Sequence, residues 1–117
     1  MDKSDNKSTG NLGEEKANEY LISKGYKILA RNLKLFCGEI DILAEDLRKF
    51  IVIVEVKTVR GSGWGSAADL VRRQKQHKLR LLAGAISKEY PKRNLRIDVV
   101  AIDYDGIDHI ENAVEGR

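Results

Sequence analysis

Cysteine and proline each occur once in this 117-residue chain, as Cys37 and Pro91. A lone thiol cannot close an internal disulfide, and Cys37 is expected as a small residue in the core or at its edge. The two histidines, His77 and His109, have no cysteine or second histidine at ligand spacing. A zinc centre and a His-based triad are therefore not expected, and both residues are assigned ordinary surface roles. No apolar run approaches the roughly 20 residues of a membrane-crossing helix. The glycines from Gly61 to Gly65 are not followed by the Lys-Ser/Thr pair of a phosphate-binding loop, and they do not form a dinucleotide fingerprint. Met1 to Gly10 is polar, without the apolar centre of a secretion signal, so a cytoplasmic protein with a disordered lead-in is expected. Net charge is +3, which mildly favours an anionic partner.

What the chain does have is one dense apolar run. Six of the seven residues from Phe50 to Val56 are apolar, most of them β-branched. That composition suits a strand covered on both faces. The run nevertheless carries Glu55 and Lys57 in its last positions. Side chains alternate along a strand, so these two charges share one face and Val56 lies on the other. Desolvating such groups costs several kcal/mol unless they are paired, and a functional site is one reason to keep them there.

The remaining elements can be set around that strand. A helix is expected from about Asn11 to Lys24, with Asn11 and Glu14 in capping-box positions and Gly25 as its stop. Its stripe of Ala17, Tyr20 and Leu21 carries Glu14 towards the sheet; the simpler role for Glu14 is capping. Strands are expected over Tyr26–Asn32, Phe36–Ala44 and Phe50–Thr58, the last two joined by a polar turn. A turn centre near residues 47 and 48 gives paired residue numbers summing to about 94 to 96. An even sum places Asp41 beside Glu55 on one face, with Glu39 nearby. A Gly- and Ser-rich loop follows from Arg60 to Ala68; its Trp64 either anchors the loop or stacks on a base. A long helix is expected over Asp69–Glu89, with Val71, Leu79, Leu82 and Ile86 inward and Lys75 extending that stripe. Arg72, Arg73, Lys75 and Lys78, together with Arg60 on the loop, could follow a phosphate backbone; a solvated helix face is the simpler reading. Leu95–Ile102 and Ile107–Ile110 complete the strands of a single domain over residues 11–111, followed by a short tail. The fold class is thus α/β, a central mixed sheet flanked by helices.

Carboxylates without nitrogen or sulfur ligands suit a hard cation, Mg²⁺ or Mn²⁺. Asp41 and Glu55 could hold it and Glu14 could complete the set. Lys57 could position the attacking water or offset phosphate charge.

Asp41, thirteen residues, then Glu55-Val56-Lys57 is the D…(D/E)-x-K pattern of the PD-(D/E)XK nuclease superfamily. Gly13-Glu14, Ala17, Tyr20-Leu21, Gly25-Tyr26, Arg31-Asn32, Gly38-Glu39-Ile40-Asp41, Val54-Glu55-Val56-Lys57-Thr58, Lys75-Gln76 and Asp98-Val99-Val100 together resemble the YraN-like family, which in turn looks like Holliday junction resolvases. The resemblance implies a restriction-endonuclease-like core and a divalent-metal site formed by Glu14, Asp41 and Glu55, with Lys57 as the lysine. It also implies structured or branched DNA as substrate, and a homodimer. Ile40 stands where the superfamily's name has proline. Two rival readings remain: a nucleic-acid-binding module that keeps the fold without cutting, and a purely structural ion pair at a sheet end.

Overall fold

Strands apolar on both sides need a cover on each side, and the described residues supply one helix for each. A computed structural model describes residues 4–58, 76–103 and 106–113. The order is α1 (Ser4–Ser23), β1 (Lys27–Leu35), β2 (Gly38–Glu45), β3 (Ile51–Thr58), α2 (Gln76–Glu89), β4 (Leu95–Asp103) and β5 (Gly106–Ile110). The strands form one sheet in the order β1-β2-β3-β4-β5. β3 and β4 pair in parallel, and the other neighbours are antiparallel. This is the expected α/β architecture with a mixed sheet.

Alternation divides the core in two. Ala17 and Leu21 of α1 pack on Ile42, Ala44, Val52, Val54, Val100 and Ile102. Leu79, Leu82 and Ile86 of α2 pack on Ile40, Leu43, Ile51, Ile53, Ile97, Val99 and Ala101. Each fully buried Leu or Ile contributes on the order of 1.5–3 kcal/mol, so these two clusters dominate the stability. α2 lies between the parallel strands β3 and β4 in the chain. It therefore runs back from the end of the sheet where both strands leave, and its first turn stands at that end.

Three boundaries differ from expectation by two residues or more, one being the start of β2 at Gly38, because Phe36 lies exposed in the turn after β1. The helix expected from Asn11 begins at Ser4. A capping pair marks where a helix can start, and the polar residues before it extend the ladder at only a few tenths of a kcal/mol each. β1 runs on past Asn32 to Leu35, because Leu33 and Leu35 pack against the α2-side core. The helix stop at Gly25 is as expected. Its φ is 93°, and the amides of Gly25 and Tyr26 bond back to the carbonyls of Ile22 and Leu21, which is a Schellman closure that a Cβ would strain. Cys37 is half-buried against the α2-side core. Val71 and the start expected for the second helix lie outside the described residues.

The α1 side also holds a buried polar network. Asp98 is fully buried. It accepts hydrogen bonds from Arg96 Nε at 2.9 Å and Nη2 at 3.1 Å, and from the Asn112 amide at 2.9 Å. His109 Nε2 lies 2.8 Å from its second oxygen, and Tyr20 OH lies 3.1 Å from His109 Nδ1. Arg96 also donates to Asp46 and to Tyr26 OH. Burial acts to raise the Asp98 carboxyl, but the bonds from His109, Arg96 and Asn112 outweigh it and hold the group below its ordinary value. His109 is therefore not the surface residue the sequence suggests. Its partners lie 11 and 89 residues away, and the β4–β5 pairing together with α1 brings them in.

Candidate functional site

The turn between β2 and β3 fixes the register on which the site depends. The Asp46 carboxylate accepts from the amides of Arg48 and Phe50, both at 2.9 Å. Lys49 closes the turn at φ 73°. From there Glu45 faces Ile51, Ala44 faces Val52 and Ile42 faces Val54. Each pair sums to 96, within the expected range and even, so Asp41 arrives next to Glu55. The pairing stops there, however. The Val56 amide donates to Asp41 Oδ2 at 2.8 Å, so the Asp41 side chain serves where a regular ladder would offer a backbone carbonyl.

The same position is irregular on the other side of β2. Arg31 faces Ile42 and Leu33 faces Ile40, and the pairing skips Asn32 and Asp41 between them. Ile42 packs on the α1 side, but Ile40 packs on the α2 side. Likewise Arg31 reaches Glu15 of α1 at 2.9 Å, whereas Leu33 belongs to the α2-side core. Residues two apart in a regular strand share a face. Both strands therefore change sides together at Asn32 and Asp41, and Asn32 has φ 51°. The strict alternation assumed from the sequence fails at this position.

Glu55 and Lys57 leave the sheet on the same strand, with Lys57 Nζ 3.8 Å from Glu55 Oε2. Val56 packs on the α1 side between them, as alternation requires. Glu14 comes from α1, which crosses β3 so closely that a Cβ on the preceding Gly13 would stand 2.6 Å from Thr58 Oγ1. Burial pushes the Asp41 carboxyl up to about 6; the Val56 amide opposes this, and the charges of Glu55, Glu14 and Glu39 add to it. The charges of Glu55, Glu14 and Glu39 thus act on Asp41, and Lys57 pairs with Glu55.

Of the expected basic residues, Lys78 is described. It is exposed in the first turn of α2, and its Cε would lie 2.7 Å from a Cβ placed on Gly38, where φ is 149°. Its stem therefore crosses the start of β2, three residues before Asp41. Arg60, Arg72, Arg73, Lys75 and the loop with Trp64 lie outside the described residues.

A carboxyl raised by burial and by like charges is chemically suited to a cation, which would relieve both effects. Mg²⁺ keeps several waters and needs only one or two carboxylates. Asp41 and Glu55 meet that requirement, although among the described residues no three His, Cys, Asp or Glu side chains converge into a closed ligand set.

The model of "Uncharacterised protein family UPF0102" matches residues 13–102, which takes in Glu14, Asp41, Glu55 and Lys57. The chain belongs to the UPF0102 family. This is the YraN family that its motifs resemble. A UPF0102 protein of Thermodesulfovibrio yellowstonii is 46% identical over 108 residues, covering 89% of this chain and 93% of the relative. One from Trichlorobacter lovleyi is 38% identical, covering 94% and 92%. Among solved structures, a repair endonuclease from Pyrococcus abyssi is similar over 84% of this chain and 38% of its own, with TM-score 0.44 and 23% identity. The structure of the EndoMS-dsDNA2 complex is similar over 69% of this chain and 30% of its own, with TM-score 0.43 and 21% identity. This UPF0102 chain thus spans a third or so of the length of those two chains and nearly all of its curated relatives.

Proposed function

We propose that this UPF0102 protein is a Mg²⁺- or Mn²⁺-dependent endonuclease-like protein that hydrolyses phosphodiester bonds in structured or branched DNA, working in the cytoplasm as a homodimer. The observation that carries this reading is the crowded Asp41 carboxyl, with Glu55, Glu14 and Glu39 around it and the Lys57 ammonium two residues along from Glu55. Asp41 and Glu55 would hold the cation, with Glu14 completing its shell. When bound, the cation would lower the pKa of a water and offset phosphate charge. Lys57 orients a water or stabilises charge on the phosphate; its pairing with Glu55 keeps the ammonium at the strand end where the scissile group must come. Lys78 and, beyond the described residues, Arg60, Arg72, Arg73 and Lys75 would follow the phosphate backbone.

A non-catalytic nucleic-acid-binding module is the second reading, favoured by the absence of a closed three-ligand set among the described residues. The deciding experiment is cleavage of labelled four-way junction, flap and plain duplex DNA with Mg²⁺ or Mn²⁺, by wild type and Lys57→Ala. Metal-dependent cutting by wild type, reduced at least about a hundredfold in Lys57→Ala, is expected. Junction binding without cutting, equal in both proteins, overturns the enzyme reading in favour of the module.

A further inference from the structure

Asn32 has no place in the chemistry above, yet it stands across from Asp41 where β1 and β2 change sides. Its side chain is exposed and its φ is 51°, a left-handed conformation that asparagine adopts far more readily than most residues. The residue therefore acts through its backbone. A left-handed residue in a strand interrupts the alternation, so that the side chains before and after it, which would share a face in a regular strand, fall on opposite faces. That inversion is seen directly: Arg31 reaches α1, and Leu33 joins the α2-side core. β2 follows, because it is paired with β1 on both sides of the gap, at Arg31↔Ile42 and Leu33↔Ile40. The residue of β2 caught at the inversion is Asp41, whose carboxylate is then free of the regular pleat and accepts the Val56 amide.

We propose that Asn32 is a positioning residue for the divalent-metal site: its left-handed backbone inverts β1 and β2 together, which turns the Asp41 carboxylate onto the Val56 amide and fixes it beside Glu55. This rests on the functional reading above for the metal, but not for the geometry. A ligand held by a backbone amide through one oxygen keeps one orientation for the other, and outer-shell partners of this kind are worth about 10- to 100-fold in metal affinity. The identity needed at position 32 follows from the conformation. Glycine adopts it without strain, alanine with some, and a β-branched residue hardly at all.

The test compares wild type with Asn32→Gly, Asn32→Ala and Asn32→Val by amide hydrogen exchange and by Mn²⁺ binding in calorimetry, with thermal melting as a control. Asn32→Gly is expected to keep both the Val56 amide protection and the Mn²⁺ affinity. Asn32→Ala, and more strongly Asn32→Val where it folds, should speed Val56 exchange about tenfold while amides in the Ile42–Val54 rungs stay protected, and weaken Mn²⁺ about tenfold. Equal losses in Asn32→Gly and Asn32→Ala would assign the effect to the asparagine side chain and overturn the proposal. Loss of protection spread through the whole β2–β3 ladder would overturn it too, as a general loss of stability. If wild type binds no Mn²⁺, the metal reading falls, and Val56 exchange in the variants still decides whether Asn32 sets the Asp41 geometry.

Discussion

Asp41 carries a stability signature that can be read without any substrate. Its carboxyl is raised from 3.8 to about 6 in the folded protein, so folding takes up protons between these values. Stability attributable to this group is therefore highest below about pH 4, falls as pH rises towards 6, and stays low above it. Asp41→Asn, which keeps an oxygen for the Val56 amide, is expected to match wild type near pH 4 and to exceed it by about 1–2 kcal/mol at pH 8, allowing for solvent screening. Urea titrations across that range check it. Saturating Mn²⁺ should close the gap by stabilising wild type alone, by about 2.7 kcal/mol at a hundred times the dissociation constant. At this scale the sequence was informative where chemistry and alternation coincide: Asp41, Glu55 and Lys57 stand out as charges in apolar strands. Asn32 and His109 did not stand out. The first acts through a dihedral angle and the second through partners distant in sequence.

Strands β2 to β4 were legible for a simple physical reason: a polar turn or a helix separates them, and each has two apolar faces, whereas β5 is short and mostly exposed. Turn length alone bounded the β2–β3 register to sums of about 94 to 96, and the structure has the even sum of 96. The inversion at Asn32 and Asp41 was hidden because Ile40 and Ile42 are both apolar, so the pattern reads as regular while the two residues pack on opposite sides. Asp98 ties three elements together, accepting from Arg96 of the same strand, His109 of β5 and the Asn112 amide. Its carboxyl is held below the ordinary value, so its contribution is present at neutral pH and lost as pH falls through the acid range below 4. Asp98→Asn is expected to lower stability by about 1–3 kcal/mol at pH 7, since it takes from the buried Arg96 one of two counter-charges, the other being Asp46. The two proteins should converge as the pH is lowered, and chemical denaturation at pH 7 and pH 3 distinguishes this from a pH-independent packing defect.

For the whole molecule, the placement of α2 matters most. Because β3 and β4 run parallel, the helix must return across the sheet, and its first turn is delivered to the end that carries the carboxylates. Lys78 lies there, across Gly38. If five basic side chains contact phosphates, the logarithm of DNA affinity should fall with the logarithm of salt at a slope of about −4 to −5, and Lys78→Ala should reduce that slope by about 1. Fluorescence anisotropy between 50 and 200 mM salt, on the order of the range where such slopes are usually read, measures it. A slope unchanged in Lys78→Ala would remove this residue from the binding face. The buried carboxylate at Asp98 has one more consequence, in the order of events during synthesis. The ribosome delivers Asp98 before His109 and Asn112, so a nascent chain that has emerged only as far as Asp103 would have to bury a charge with two of its three donors missing. The sheet therefore cannot close strand by strand as it leaves the tunnel. It waits for β5, and a chain stalled before Gly106 should remain sensitive to protease while one extended through Ala113 becomes resistant.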